Sequence, residues 1–231
     1  MNNELNLDFI TENLKHINEN IAAAAAKSGR NPEDITLIAV TKTIPAAVLQ
    51  GYAPALLAGG VRNLGENRVQ ELVDKQPQID SFTWHMIGNL QRNKVKFVVG
   101  AGNVALIHSV DSLRLAEEIS RIAANRQVVA DVLVEINIAA EDSKHGVSPA
   151  NAKALTEQIA ALPNIAVKGL MTVAPFVDNP EDNRPLFRTM AELNSDCGLP
   201  LLSMGMTNDY QVAIEEGANM VRIGTAIFGA R

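Results

Sequence analysis

The sequence predicts one (β/α)8 barrel, a TIM barrel, spanning residues 1–231. Strand-like and helix-like segments alternate strictly along the chain, and eight of each are found when an N-terminal helix is counted. Such alternation is typical of a parallel sheet covered by helices, and the length of 231 residues is usual for a single barrel. A doubly wound open sheet is the alternative that the same alternation allows.

The strand candidates are short aliphatic or β-branched runs with turn residues at their ends. The first, 35–41, lies between Pro32 and Pro45 and lacks the polar alternation of a half-exposed strand, so we expect both of its faces to be buried. The other candidates are 61–65, 83–88, 104–109, 131–137, 166–173, 200–205 and 220–224.

The helix candidates carry apolar residues at steps of three and four. In residues 5–28, Leu14, Ile17 and Ile21 follow this spacing, and Gly29 ends the segment. The same criteria predict further helices at 112–126, 149–162 and 180–196.

The composition excludes several classes of protein. A net charge of −6 without any basic stripe argues against a nucleic-acid-binding protein. The single cysteine, Cys197, excludes an internal disulfide and a cysteine-rich metal site. The sequence has neither a signal peptide nor an apolar run of about 20 residues, so we expect a cytoplasmic protein that does not enter a membrane.

Lys42 is the residue that suggests chemistry, because it follows the first predicted strand. Barrels of this class place their functional groups at the carboxyl ends of the strands. A lysine in that position can be partly desolvated and then provides a nucleophilic amine for Schiff-base formation. The alternative is a solvated lysine that merely ends a strand.

The segments after the last two strands resemble a phosphate site. Ser203 and Thr225 supply hydroxyl groups, and Gly205 and Gly224 allow the backbone to approach a ligand closely. In barrels, the loops after strands seven and eight often hold a phosphate. A phosphate site opposite Lys42 suggests pyridoxal 5'-phosphate (PLP) as cofactor. The alternative is that both glycines only turn the chain at barrel corners.

Arg222 fits the same cofactor. A guanidinium is always protonated, so next to the pyridine nitrogen of PLP it would keep that nitrogen unprotonated. We therefore expect Arg222 to permit PLP binding while damping carbanion chemistry.

The four histidines have different predicted roles. His16 lies on the first helix and is expected to be solvated. His85 and His108 fall at strand ends, where a structural or cofactor-packing role is expected, and His145 lies in a loop. Their spacing fits no metal site.

Seven short motifs are spread over essentially the whole chain. They are AVTKT at 39–43, GENRVQE at 65–71, WHMIGNLQRNK at 84–94, SKHG at 143–146, GLM at 169–171, LSMGM at 202–206 and MVRIGTAIFG at 220–229. Taken together they resemble the PLP homeostasis (PLP-binding) protein family, which is related to the N-terminal barrel of alanine racemase. The last motif is the most specific.

The resemblance implies an alanine racemase N-terminal-like barrel with an extra N-terminal helix and no C-terminal β-domain. It also implies that PLP is held on Lys42 as an internal aldimine and that Lys144 helps to move PLP on or off the protein. Motifs and resemblance together predict these cofactor-binding residues: Lys42, Asn67, His85, Ser203, Met204, Gly205, Arg222, Gly224 and Thr225. The chain departs from the family pattern at Ile44, Arg68 and Thr207, where some relatives have lysine, tyrosine and serine respectively.

The predicted function is that of a PLP carrier without turnover, which regulates intracellular PLP (vitamin B6) and the balance of amino acids and keto acids. Apo PLP-dependent enzymes would be its recipients, and an open rim predicts a monomer. The alternative is a racemase-type enzyme that uses Lys42 as base. That enzyme needs a second acid or base, and of the two tyrosines Tyr52 is predicted far from the rim and Tyr210 just after the phosphate loop. A third possibility is an aldolase whose Lys42 binds a sugar phosphate directly.

Overall fold

In the computed structural model, which describes residues 6–141 and 145–229, eight parallel strands close into a barrel in chain order. The strands are β1 (Thr36–Val40), β2 (Asn63–Glu66), β3 (Thr83–Met86), β4 (Val104–Val110), β5 (Ala130–Ile136), β6 (Ile165–Thr172), β7 (Leu201–Ser203) and β8 (Met220–Ile223). Each overlaps one predicted strand. The pairing of β1 with β8 closes the sheet, which confirms the barrel and excludes the open-sheet alternative.

Helices cover the outside of the barrel. They are α1 (Leu7–Lys27), α2 (Ala46–Ala58), α3 (Val69–Lys75), α4 (Leu113–Asn125), α5 (Pro149–Ala160), α6 (Arg184–Asp196), α7 (Tyr210–Glu215) and α8 (Thr225–Phe228). The connection from β3 to β4 is instead a 3-10 helix, Arg92–Phe97, in which Val95 alone is buried, because the lysines beside it leave no apolar stripe for a longer helix. None of the described helices is both long and apolar enough to span a membrane.

The predicted N-terminal helix is confirmed as α1, which completes the outer layer. It packs against α2, α7 and α8, and α8 is only a single turn. Its buried side includes Leu14, Ile17 and Ile21, as the spacing predicts. Just beyond its end, the Arg30 guanidinium donates hydrogen bonds to the carbonyls of Ile214, Gly217 and Ala218 and so ties this end of α1 to α7.

The barrel interior changes character along the strands. It holds a small apolar cluster of Ile38, Leu106, Leu133, Met171 and Met220. Two residues beyond Leu106 and Met220 lie the buried polar side chains of His108 and Arg222, and Ser203 is buried at the end of β7. The carboxyl end of the barrel is therefore the end where a polar site can form.

Candidate functional site

Lys42 lies in a tight turn directly after β1. Thr41 is buried, whereas Lys42 and Thr43 are exposed, and the amide of Ile44 donates to the Thr41 carbonyl at 3.1 Å. Thr43 has a φ of +66°, which is unusual for a β-branched residue. The turn thus places the lysine at the rim of the barrel, as the sequence predicts.

A cavity of about 370 Å³ opens beside this turn. Its size falls in the range of roughly 300–1,000 Å³ that is typical of small-molecule sites. Apolar side chains form much of the wall, and Phe176 stands at the mouth with 84% of its surface exposed. The lining comes from the carboxyl ends of β1 and β8 and from the segments that follow β1, β6, β7 and β8: Val40, Lys42, Pro175, Phe176, Met206, Thr207, Asn208, Asp209, Arg222, Gly224 and Thr225.

Arg222 forms the floor of the cavity and is 96% buried, since only 4% of its surface is exposed. Its Nη1 donates to Ser203 Oγ at 2.5 Å and its Nη2 to the Thr172 carbonyl at 2.7 Å. Burial lowers the pKa of Arg222 to about 10, with Glu135 and Asp209 partly offsetting that effect. At neutral pH the guanidinium is therefore still charged.

Ser203 connects Arg222 to a chain of buried hydrogen bonds, which we call the arginine-side network (Asn63, His85, His108, Ser203 and Arg222). His108 Nδ1 lies 3.1 Å from Ser203 Oγ, His108 Nε2 lies 3.0 Å from His85 Nδ1, and His85 Nε2 lies 3.0 Å from Asn63 Oδ1. Burial lowers the pKa of His85 to about 4 and that of His108 well below its usual range. Both imidazoles are therefore neutral.

Neutral rings fix the direction of every hydrogen bond in the arginine-side network. Arg222 can only donate, so Ser203 Oγ accepts from it and gives its own hydrogen to His108 Nδ1. His108 Nε2 then donates to His85 Nδ1, and His85 Nε2 donates to Asn63 Oδ1. Every hydrogen bond in this network is donated in the direction that leads away from the guanidinium, and the network holds the guanidinium in one orientation.

The loop after β7 forms another part of the cavity wall. Gly205 has a φ of +90°, and a Cβ there would lie 2.6 Å from the Cβ of Ala213, so only glycine fits. Asp209 Oδ1 accepts from the amide of Met206 at 2.8 Å and shapes the same loop. Thr207 Oγ1 accepts from the amide of Ala226, at the start of α8, at 3.3 Å. Its hydroxyl and that of Thr225 line the cavity.

Comparisons with known proteins agree with this arrangement. The sequence model of the family described as "Alanine racemase, N-terminal domain" matches residues 13–231. The "Pyridoxal phosphate homeostasis protein" of Aquifex aeolicus (strain VF5) is 44% identical over 95% of this chain and 97% of its own length. The chain belongs to the pyridoxal phosphate homeostasis protein family.

Two solved structures are similar over nearly their whole length. The crystal structure of "an unknown protein from Bifidobacterium adolescentis" is 35% identical with a TM-score of 0.87, covering 96% of this chain and 95% of that one. PipY of Synechococcus elongatus PCC7942, solved with PLP bound, is 35% identical with a TM-score of 0.74 and covers 90% of this chain and 100% of its own. The family's barrel is the fold observed here.

The structure brings only some of the predicted residues to the cavity of this family member. Lys42, Arg222, Gly224 and Thr225 line it. Ser203 instead lies fully buried beneath Arg222. Its place on β7 directs it into the barrel interior, where its hydroxyl oxygen accepts a hydrogen bond from Arg222.

The other predicted residues lie around the cavity or away from it. Met204 is fully buried, Gly205 turns the loop, and His85 belongs to the arginine-side network. Asn67 lines a neighbouring cavity of about 410 Å³, together with other polar side chains. Lys144 lies outside the described residues.

Neither tyrosine lines the cavity. The ring of Tyr52 on α2 packs against that of Phe228, with centroids 6.1 Å apart. The Tyr210 hydroxyl accepts from Asn20 Nδ2 on α1 at 3.0 Å, on the outer side of the barrel. Thr207, which the sequence analysis gives only as a departure from the family pattern, also lines the cavity.

Proposed function

We propose that this protein binds PLP covalently through Lys42 and acts as a carrier that regulates intracellular PLP and the balance of amino acids and keto acids. The observation that carries the proposal is that the Lys42 amine and the buried Arg222 guanidinium line one cavity of suitable size. PLP supplies an aldehyde when bound, and the Lys42 amine would condense with it, forming a C=N bond and releasing water.

The residues present fit such a ligand. The charged Arg222 is held by two acceptors and presents its remaining N–H groups to the cavity, where a ring nitrogen could accept one of them. Thr207, Gly224 and Thr225 stand together at the beginning of α8 and suit a phosphate group. In this proposal Thr207 takes the role that the sequence suggests for Ser203.

A carrier role is favoured over a racemase-type enzyme by the titratable groups around the cavity. Of the described residues that line it, Lys42, Asp209 and Arg222 alone are ionisable. Asp209 is buried and bonded to the Met206 amide and to Asn183 Nδ2, and Arg222 stays protonated. No second acid or base faces Lys42 from this set, whereas racemisation requires one.

The exposure of the site supports the same choice. Lys42 and Phe176 are both exposed at the mouth, so water reaches the position of the C=N bond. Hydrolysis of that bond releases PLP, which suits exchange with a recipient such as an apo PLP-dependent enzyme. We further propose that the protein acts as a cytoplasmic monomer and that Lys144 assists transfer.

Incubation of the PLP-loaded protein with amino acids in heavy water tests the proposal. A carrier should show no α-proton exchange above a Lys42→Ala control and should pass PLP to an added apo-enzyme. Lys42-dependent exchange at turnover rates would establish the racemase-type alternative. Borohydride reduction followed by peptide mapping should place PLP on Lys42, and a label found only on another lysine would refute the covalent site.

A further inference from the structure

Lys75, at the end of α3, is a buried charge outside the cavity. Only 3% of its side chain is exposed, and Glu66, its partner on β2, is completely buried. Lys75 Nζ donates to Glu66 Oε1 at 2.6 Å, to Glu71 Oε2 at 2.8 Å and to the Thr41 carbonyl at 2.8 Å. All three hydrogens of the ammonium are therefore used.

This cluster bonds to the backbone on both sides of Lys42. On the N-terminal side of Lys42, the Thr41 carbonyl accepts a hydrogen bond from Lys75 Nζ, and the Thr41 hydroxyl donates one to Glu66 Oε1 at 2.6 Å. After the lysine, the Thr43 amide donates to Glu71 Oε2 at 2.7 Å. We call Thr41, Thr43, Glu66, Glu71 and Lys75 the lysine-side network.

The conformation that the lysine-side network holds is one that the chain would not adopt unaided. A β-branched residue with φ near +66°, as at Thr43, is disfavoured and persists only where surrounding contacts determine it. Glu71 supplies that contact through the Thr43 amide. The direction in which Lys42 leaves β1 thus depends on a carboxylate that does not itself line the cavity.

We propose that Glu71, Lys75 and Glu66 are positioning residues that hold the Lys42 turn in the conformation required for covalent capture of PLP. The inference rests on the proposed function, because it presupposes that Lys42 is the attachment point. Glu71 acts directly on the Thr43 amide, whereas Lys75 and Glu66 act on Thr41 and keep Glu71 in place. A network serving stability alone would have no reason to affect the reactivity of Lys42.

Glu71 is the position to vary, because its side chain is 21% exposed, whereas those of Lys75 and Glu66 are almost completely buried. Glu71→Ala removes the acceptor of the Thr43 amide, and Glu71→Gln keeps an oxygen that can accept the same hydrogen bond. The control is Asn194→Ala, which removes buried bonds to the Leu170 amide and the Leu199 carbonyl, away from Lys42.

The experiment measures the rate of covalent capture of PLP by absorbance and the hydrogen exchange of the Thr43 amide in PLP-free protein. Glu71→Ala should slow capture roughly tenfold or more, since misplacement of a reacting group has effects of this size. It should also speed Thr43 exchange, and Glu71→Gln should restore most of both. Asn194→Ala should change neither.

Other results separate the two proposals. Faster Thr43 exchange with an unchanged capture rate in Glu71→Ala would overturn the positioning role and leave a structural network. Equal slowing by Asn194→Ala would overturn it as well, because general loosening would then explain the effect. If borohydride labels no Lys42 in the wild-type protein, the proposed function itself fails and the inference falls with it.

Discussion

Lys42 and Arg222 line the same cavity but are held by different kinds of contact. Lys42 is exposed and is located through its neighbours' backbone, which bonds to charged side chains of the lysine-side network. Arg222 is buried and is located through its own guanidinium, which bonds to neutral groups of the arginine-side network. Charged side chains hold the turn that carries Lys42, whereas neutral groups hold the charged guanidinium of Arg222.

The difference determines which charges remain available to a ligand. In the lysine-side network the charge of Lys75 is matched by Glu66 and Glu71 and is not available to a ligand. Among the described residues, no carboxylate lies within ion-pair distance of Arg222, and Glu135 and Asp209 act on its pKa only from further away. Neutral partners thus orient Arg222 without neutralising the charge that it presents to the cavity.

The largest effect is expected where the charged network is broken. Lys75→Met should lower the free energy of unfolding by about 3–5 kcal/mol, because it leaves the buried Glu66 carboxylate without its counter-charge. Urea unfolding monitored by circular dichroism measures this loss.

The double variant Lys75→Met/Glu66→Leu is the matched control. It removes both charges and should recover most of the lost stability, since an apolar pair can replace a buried ion pair. A double variant as unstable as the single one would show that packing, and not the unmatched charge, causes the loss.

Breaking the neutral network should cost less. His108→Leu leaves Ser203 without its acceptor and His85 without its donor, and should lower the free energy of unfolding by about 1–3 kcal/mol. It should also weaken binding of PLP, because the guanidinium of Arg222 loses its fixed orientation. Hydrogen exchange of the Thr43 amide should not change in this variant. A faster exchange there would mean that the two networks are coupled.

The neutral network also predicts a dependence of stability on pH. The folded pKa of His85 is about 4, against 6.5 ordinarily, so between these values the unfolded chain binds a proton that the folded protein excludes. Stability therefore falls as the pH falls through this window.

Glu135 has the opposite effect, because burial, with a contribution from Asp111, raises its folded pKa to about 7 from 4.5. Over that range the folded protein binds the extra proton and gains stability as the pH falls.

Glu135→Gln separates the two contributions. The free energy of unfolding should fall more steeply between pH 6.5 and pH 5 in the variant than in the wild type, by up to about 1.4 kcal/mol per pH unit. Urea unfolding at pH 5, 6 and 7 measures both slopes. Parallel slopes would mean that Glu135 does not titrate in this range.

The fold was predictable from local patterns, because each buried strand and amphipathic helix leaves its own period in the sequence. The segment Arg92–Phe97 is instructive, since its apolar residues are too few for an α-helix and it forms a 3-10 helix. Lys42 and Arg222 could be placed at the rim because each lies at the end of a strand. The strand ends and the periods of strands and helices are set by residues that are close together in the sequence.

The two networks could not be predicted, because they depend on residues that the barrel brings together. His85 and His108 meet only through the register of β3 and β4, and Ser203 joins them from β7. Lys75 has the sequence context of an ordinary surface lysine on a helix, and burial reveals its role. The motif that contains Ser203 predicts a cofactor-binding residue, but it does not indicate the hydrogen bond that Ser203 accepts from Arg222 inside the barrel.

Ser203 and Thr207 can be compared as candidate ligands of the phosphate group. The motif indicates Ser203, whereas the hydroxyl of Thr207 lines the cavity. Thr207→Val should weaken PLP binding roughly fivefold, as expected for one lost hydrogen bond, and should leave binding of pyridoxal, which lacks the phosphate, unchanged. Ser203→Ala should weaken binding of PLP and of pyridoxal by the same factor, because in the proposed arrangement Ser203 acts through its hydrogen bond with Arg222 at the ring and not at the phosphate. Titration of both variants with both ligands measures the four affinities. A loss specific to PLP in Ser203→Ala, with no loss in Thr207→Val, would return the phosphate role to Ser203, and would require the Arg222 side chain to move away from it when the ligand binds.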